Sequence, residues 1–421
     1  MPRPTLDLEV ISMADFYQTG VVTTLHRLTA NSVDRLEADL EKFARNKPIG
    51  LVLPALYSEF ETLAMQRIVP ELRKVRYLQR IVVALGRATR EQFEKARSFF
   101  QDFYTPVTVM WVDGEKLQAL LGMLEERGLP AGADGKGRSC WLAYGYLLAK
   151  RDCSMIALHD CDIVNYDRQL LARLCYAVAH PHLPFDFCKG YYARVTDRMH
   201  GRVTRLFMTP LIRALEGMAP GNPYLRFLDS FRYPLAGEFA MDIDLARVNR
   251  IPADWGLEVG VLAEVFRNCT VARTCQVDLM DNYEHKHQTL STEDPSRGLA
   301  RMATDIAKSL FSTLAAEGLV FTADHFRSLE VRYVRMAQDT IARYYADAML
   351  NGLRFDRHAE ELAVSVFAKS LSAAATEFIR DPRGLPLIPN WNRVLAALPE
   401  FFDLLQDAVE RESRQTAVRA A

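Results

Sequence analysis

From Ile49 to Asp160 the chain alternates short, nearly continuous apolar runs with longer amphipathic stretches. The runs are "IGLVLPAL" from Ile49, "RIVVALG" at 80–86, "PVTVMWVDG" at 106–114 and "SMIALHD" at 154–160. Helical spacing follows each of the first three, to about Val75, from Thr89 to Phe100, and through "EKLQALLGMLEERG". Strands that are apolar on both sides suit a sheet buried on both faces, and helical stretches between them act as crossovers. The pattern predicts an α/β fold, with a mostly parallel sheet and helices on both faces.

Outside this stretch the pattern changes twice. Residues 1–48 read as an N-terminal extension, with "DFYQTGVVTTLHRL" and then helical spacing from Val33 to Phe43. From Asp186 to Val277, short strands such as "FDFCKGYYARV" and "TVARTCQVDL" alternate with helical stretches at 203–218 and 256–267. Residues 49–295 therefore form one catalytic-sized unit, with halves at about 49–165 and 185–295. Residues 296–421 are helical almost throughout, broken at Gly318, Gly352 and "DPRGLPLIPN". They read as a helical appendage or an oligomerisation element, the latter implying a homodimer.

Composition narrows the function classes. At 421 residues the chain exceeds one ordinary core. A net charge of −1 offers no global field for nucleic acid or an anionic membrane, so any anion must be caught by a local cluster. The seven cysteines show neither CxxC nor metal-knuckle spacing, which suits ordinary packing in a reducing compartment. With no apolar stretch of signal-peptide or membrane-spanning type, a soluble, cytoplasmic protein is expected.

The candidate chemistry starts at "MIALHDCDIVNYD", where Asp160 and Asp162 end an apolar run. Carboxylates avoid a buried strand, so this pair needs water, a cation or a partner where the strand stops. Open parallel sheets bind ligands at the carboxyl ends of their strands, and "LPALYSE" after the first strand falls at a second such end. "GADGKGRSCW" places glycines around Lys136, giving a ligand close access to backbone and a point charge; the bland reading is a flexible surface loop. "HGRVTRL" puts Arg202 and Thr204 at a helix opening suited to an anion, or to a solvated arginine. "EHKHQ" offers His285 and His287 on one side of an extended segment, where one could join the aspartates on a cation. "YPLAGEFAMD" holds Glu238 in an apolar stretch, where a buried, hydrogen-bonded carboxylate is the simplest account.

In this order, these segments resemble the glucosyl-3-phosphoglycerate synthases, retaining GT-A glycosyltransferases related to the mannosylglycerate-type enzymes. The resemblance spans about residues 49–310 and rests on "LPALYSE", "GKG", "DCD", "GRVT", "PLAGE", "WGLEVGVL" and "HKHQ". It implies a GT-A fold, Rossmann-like, with the helical region appended. Pro54, Ala55, Leu56 and Glu59 would line the nucleotide of a UDP-glucose donor. Lys136 would reach the nucleotide-sugar, and Asp160 would sit towards ribose and metal. Asp162 and His285 would hold Mg²⁺, with Mn²⁺ a rival because imidazole is among the ligands. Arg202, Val203, Thr204 and His287 would bind the acceptor, 3-phosphoglycerate. Glu238 would lie under the transferred sugar, and Glu258 on a helix whose N-terminus abuts the acceptor. "ARVTDR" at 193–198 duplicates "GRVTRL"; the second is assigned to the acceptor for its preceding glycine and following helix. Cys161 between the aspartates should face away, yet leave the site sensitive to oxidation.

The mechanism so implied is same-face attack, the acceptor hydroxyl giving its proton to the departing phosphate, with Asp162, Thr204 and Glu238 at the reacting centre. Glu238 as a covalent nucleophile is the alternative. Rival functions are a mannosyl- or glucosylglycerate-type synthase using GDP-mannose or free glycerate, a nucleotidyltransferase, and a silent helical interaction protein. The nucleotidyltransferase should carry a glycine-rich loop near the first strand, which "LVLPALYSEF" lacks.

Overall fold

The structure, a computed structural model, describes residues 18, 20–28, 32–284, 298–384 and 387–419. Its eight strands are β1 (Thr23–Leu25), β2 (Ile49–Leu56), β3 (Leu78–Gly86), β4 (Val107–Trp111), β5 (Met155–Leu158), β6 (Phe187–Tyr192), β7 (Phe239–Asp242) and β8 (Thr274–Met280). They form one sheet in the order β1-β8-β6-β7-β5-β2-β3-β4. All pairings are parallel except those of β7, which runs antiparallel between β5 and β6. The expected mostly parallel sheet with helices on both faces is what forms. β1 lies in the segment read as an extension, and joins the sheet edge beside β8.

The continuous apolar runs are explained by two cores, one on each face. Val52, Val82, Ile156 and Phe187 face one core, and their neighbours Leu51, Leu53, Ile81, Val83, Ala157 and Cys188 face the other. Strand geometry sends successive side chains to opposite faces, so a strand covered on both sides has no polar position to spare. Pro54 fits within β2 because β5 stops pairing two residues earlier, at Val52↔Leu158, where a missing N–H removes no ladder bond on that side.

One core continues without a break into the C-terminal helices, including Phe311, Phe367, Trp391 and Leu405. Trp391 stacks on Trp141 of helix Lys136–Lys150, with ring centroids 4.0 Å apart. Farther on, the Glu412 carboxylate accepts a hydrogen bond from the Lys116 backbone N–H at 2.9 Å. Helix Arg357–Arg380 is long and apolar enough to cross a bilayer, but 56 % of its apolar window is buried within the protein. It packs there as a core helix, against helices Gly298–Ala316 and Ala323–Leu350.

Candidate active site

Because β7 is antiparallel, its first residue lies beside the carboxyl end of β5 and the middle of β6. Phe239 pairs with Leu158 on β5 and with Lys189 on β6. Glu238, just before β7, therefore arrives next to Asp160, two residues beyond β5. The fit is tight: a Cβ added at Gly237 would collide with the Asp160 carboxylate.

Glu238 is fully buried, and its two oxygens accept hydrogen bonds from Tyr192, at 2.8 Å, and from Tyr283. The two phenol rings stack with centroids 3.8 Å apart. Burial, and then the charge of Asp160, raises the Glu238 pKa above the usual carboxylate range. Lys189 lies beneath, fully enclosed, donating to the Ala236 carbonyl and facing the Phe239 ring at 5.5 Å. Burial lowers its pKa to about 8, against the pull of Glu258 and Glu238. Sequence reasoning missed Lys189, Tyr192 and Tyr283; two tyrosines flanking a strand-end glutamate carry no motif.

Lys136 opens its helix and bridges two carboxylates, with Nζ 2.6 Å from Asp160 Oδ1 and 3.0 Å from Glu258 Oε1. Burial opposes its charge, but Asp160 and Glu258 outweigh that and hold its pKa well above the ordinary lysine value. Glu258 sits in the first turn of helix Leu257–Asn268. Gly135 and Gly137 were expected to give a ligand access to backbone. Instead they admit the carbonyls of Ala253 and Pro252, which occupy the space a Cβ would need. Two backbone segments meet there, and Lys136 is aimed by that packing.

Glu59 folds back over the end of β2, its Oε2 accepting from the Leu56 N–H at 3.1 Å. Burial first, then Asp162, pushes its pKa up to about 8. The segment "LPALYSE" and the acid pair thus share one place. Pro54 and Ala55 are buried in β2, while Leu56 is exposed at its tip. Between the acids, Cys161 turns into the core at 1 % exposure, and burial raises its thiol pKa, so the expected sensitivity to oxidation has no accessible thiolate behind it. His159 is buried behind the pair, bonded to the Asp160 carbonyl at 2.9 Å and Tyr166 at 3.3 Å. Burial lowers its pKa to about 4, so it is neutral at neutral pH.

His285 and His287 lie outside the described residues. The chain leading to them is stitched to the acid-pair loop: Val164 N–H donates to the Glu284 carbonyl at 2.8 Å, and Glu284 N–H to Asn165 Oδ1 at 3.0 Å. Among the described residues no group of three or more histidine, cysteine, aspartate or glutamate side chains forms a metal cage. The oxygens of Asp160, Asp162 and Glu59 are nonetheless hard donors of the kind Mg²⁺ and Mn²⁺ accept.

The two "RVT" repeats lie on either side of Tyr233. Arg194 donates to the Tyr233 hydroxyl at 3.2 Å, and its buried Nε has no partner among the described residues. Gly201 packs against the same hydroxyl. Arg202 then leads into a π-helix, Val203–Met208, that continues as helix Thr209–Glu216. π turns are rare and concentrate at functional sites. Val203 and Thr204 are buried in it, whereas the Arg202 side chain is partly exposed and donates to Glu360 at 3.0 Å.

No family model matches the chain. It is 52 % identical over 401 residues to the glucosyl-3-phosphoglycerate synthase of Persephonella marina, covering 95 % of the chain and 99 % of that protein. With the protein of the same name from Methanococcoides burtonii it shares 40 % over 400 residues, 94 % and 97 % of the two lengths. Among solved structures it resembles glucosyl-3-phosphoglycerate synthase from Mycobacterium tuberculosis in complex with Mn²⁺, UDP-glucose and phosphoglyceric acid. That match has a TM-score of 0.52 at 21 % identity, over 70 % of this chain and 88 % of that one. Mannosyl-3-phosphoglycerate synthase from Rubrobacter xylanophilus gives a TM-score of 0.52 at 22 % identity, over 68 % and 80 %. These structures share the fold; the two near-full-length relatives go further, and the chain belongs to the glucosyl-3-phosphoglycerate synthase family of glycosyltransferases.

Proposed function

We propose that the chain transfers glucose from UDP-glucose to the hydroxyl of 3-phosphoglycerate, with retention at the anomeric carbon and with a divalent cation. The observation that carries this reading is Lys136, whose ammonium joins Asp160 of the acid pair to Glu258 on the helix assigned to the acceptor. A cation so held would put positive charge beside the acid pair, where a donor's diphosphate is to leave. The name of the two close relatives supplies the sugar and the acceptor, and the M. tuberculosis complex the nucleotide.

Asp162, with His285 by its match to the family, would hold Mg²⁺ or Mn²⁺, which when bound supplies positive charge opposite the leaving diphosphate. Lys136 adds charge at the same end. Arg202 grips the acceptor's phosphate or carboxylate with its planar fork, and Thr204 and Val203 set the wall beside it. Glu238 supports same-face attack over a covalent route: both its oxygens are occupied by tyrosine hydroxyls, and burial favours its neutral form, neither of which suits a nucleophile. Catalysis then rests on positioning and charge.

The test is a panel of UDP-glucose, GDP-glucose and GDP-mannose against 3-phosphoglycerate and free glycerate, with the product's anomeric configuration read by NMR. UDP-glucose with 3-phosphoglycerate should be the productive pair, giving an α-glucoside, and Asp162→Ala should abolish it. Turnover of glycerate as fast as 3-phosphoglycerate removes the phosphate cradle, and an Asp162→Ala enzyme at wild-type rate removes the metal assignment.

A further inference from the structure

Glu360 joins the C-terminal helices to the segment assigned to the acceptor. It lies in the first turn of helix Arg357–Arg380 and is only 5 % exposed. Each oxygen holds one arginine: Oε1 accepts from Arg202 Nε at 3.0 Å, and Oε2 from Arg205 Nη1 at 2.9 Å. The two arginines differ. Arg205 is buried, donates also to the His200 carbonyl at 2.8 Å and lies over the Tyr344 ring. It is a fixed part of the interior. The Arg202 side chain is 34 % exposed, and Glu360 is its one hydrogen-bond partner among the described residues. That bond uses the Nε–H and leaves the two terminal amines, the other end of the fork.

We infer that Glu360 is a positioning residue for the acceptor: it fixes the plane of the Arg202 guanidinium so that the terminal amines meet the acceptor's phosphate or carboxylate. This rests on the reading of Arg202 as the acceptor-binding arginine. Charge alone argues for the opposite effect, since a carboxylate beside an anion site repels the anion. Arg205 already compensates that carboxylate at contact distance, so orientation decides. An arginine held in place beforehand gives up less rotamer freedom when the acceptor binds. The same π-helix is seated by Tyr333, whose hydroxyl donates to the Leu206 carbonyl at 2.8 Å. Acceptor recognition is therefore assigned partly to helices that lie beyond the sheet unit.

Steady-state kinetics on the full chain with UDP-glucose, 3-phosphoglycerate and Mg²⁺ test this. Glu360→Gln keeps the shape and loses the charge. Its KM for 3-phosphoglycerate should rise roughly five- to tenfold, the effect of freeing one long side chain, while the KM for UDP-glucose moves less than about twofold. Glu360→Asp, with the charge on a shorter arm, should fall between. KM does not depend on how much of the enzyme folds, so a poor yield leaves the comparison intact. In an Arg202→Ala background, Glu360→Gln should add nothing, because the two act as one unit. A 3-phosphoglycerate KM that is unchanged or lowered in Glu360→Gln overturns the positioning role, as does a parallel rise in both KM values. An Arg202→Ala enzyme with the wild-type acceptor KM overturns the assignment of Arg202 itself.

Discussion

Gly237 bears on the acid pair directly, through the space it leaves Asp160, and Lys189 indirectly, through the Ala236 carbonyl next to Gly237. Gly237 gives Asp160 its space, so Gly237→Ala should displace that carboxylate and lower kcat on the order of a hundredfold, as misplacements near 1 Å do. Circular dichroism should stay that of the wild type; a fully active Gly237→Ala enzyme shows that Asp160 has room to move. Lys189 carries an ammonium in a dry place, its pKa lowered by burial from 10.5 to about 8. Between those values the unfolded chain binds a proton that the folded chain lacks, so stability from this residue rises with pH across that window. Below pH 8 both states are charged, and the folded one bears the whole penalty. Lys189→Met should therefore gain most over the wild type, in urea unfolding, below about pH 8, the gain shrinking towards pH 10.5. A difference that stays flat across the window excludes the buried ammonium as its source. Transfer should still fall in Lys189→Met, because the Ala236 carbonyl beside Gly237 loses its donor. None of this is written in the motif "PLAGE". Glu238 was legible there as a buried carboxylate, but the lysine under it comes from another strand.

At the scale of elements, the parallel strands were legible because burial on both faces leaves a run of apolar residues that no other element of that length requires. β7 was not, being four residues long and spent between a turn and a helix. β1 was hidden for the same reason: three residues, "TTL", acquire strand geometry only by pairing with β8. The helix Lys136–Lys150 was placed by its glycines and lysine, yet what fixes it is the tryptophan stack with Trp391, from a region the sequence marked only as helical. Removing that ring should matter to both stability and chemistry. Trp391→Ala is expected to cost about 3–5 kcal/mol in urea unfolding, as large-to-small changes in a packed core do. Because Lys136 opens the helix against which Trp391 packs, the KM for UDP-glucose should rise as well. A variant that loses under about 1 kcal/mol shows that the ring can be replaced by collapse of its surroundings.

For the molecule as a whole, the boundary near residue 295 is one of pattern and does not divide the core. Leu142, Phe207, Phe311, Phe367 and Leu405 belong to one continuous apolar cluster. A chain ended at residue 295 should bind a hydrophobic dye and unfold without a sharp thermal transition, whereas the full chain should give one cooperative transition. A shortened chain that melts sharply would show that the sheet unit closes its own face. Sequence reading could not see this, since a helix that covers a sheet and one that stands apart carry similar apolar stripes. The bond from Lys116 to Glu412 joins residues 296 positions apart. On a ribosome adding roughly 5–20 residues per second, the helix beginning at Glu115 waits about 15–60 s for that partner to be made. Strands β5 to β8 are added within that interval, and until it ends the growing sheet has one face uncovered and the residues that would hold a donor lack a settled floor. Ribosome-bound chains stalled before Glu412 should therefore transfer no glucose, and a stalled chain that is active would show that the helix at Glu115 needs no such partner.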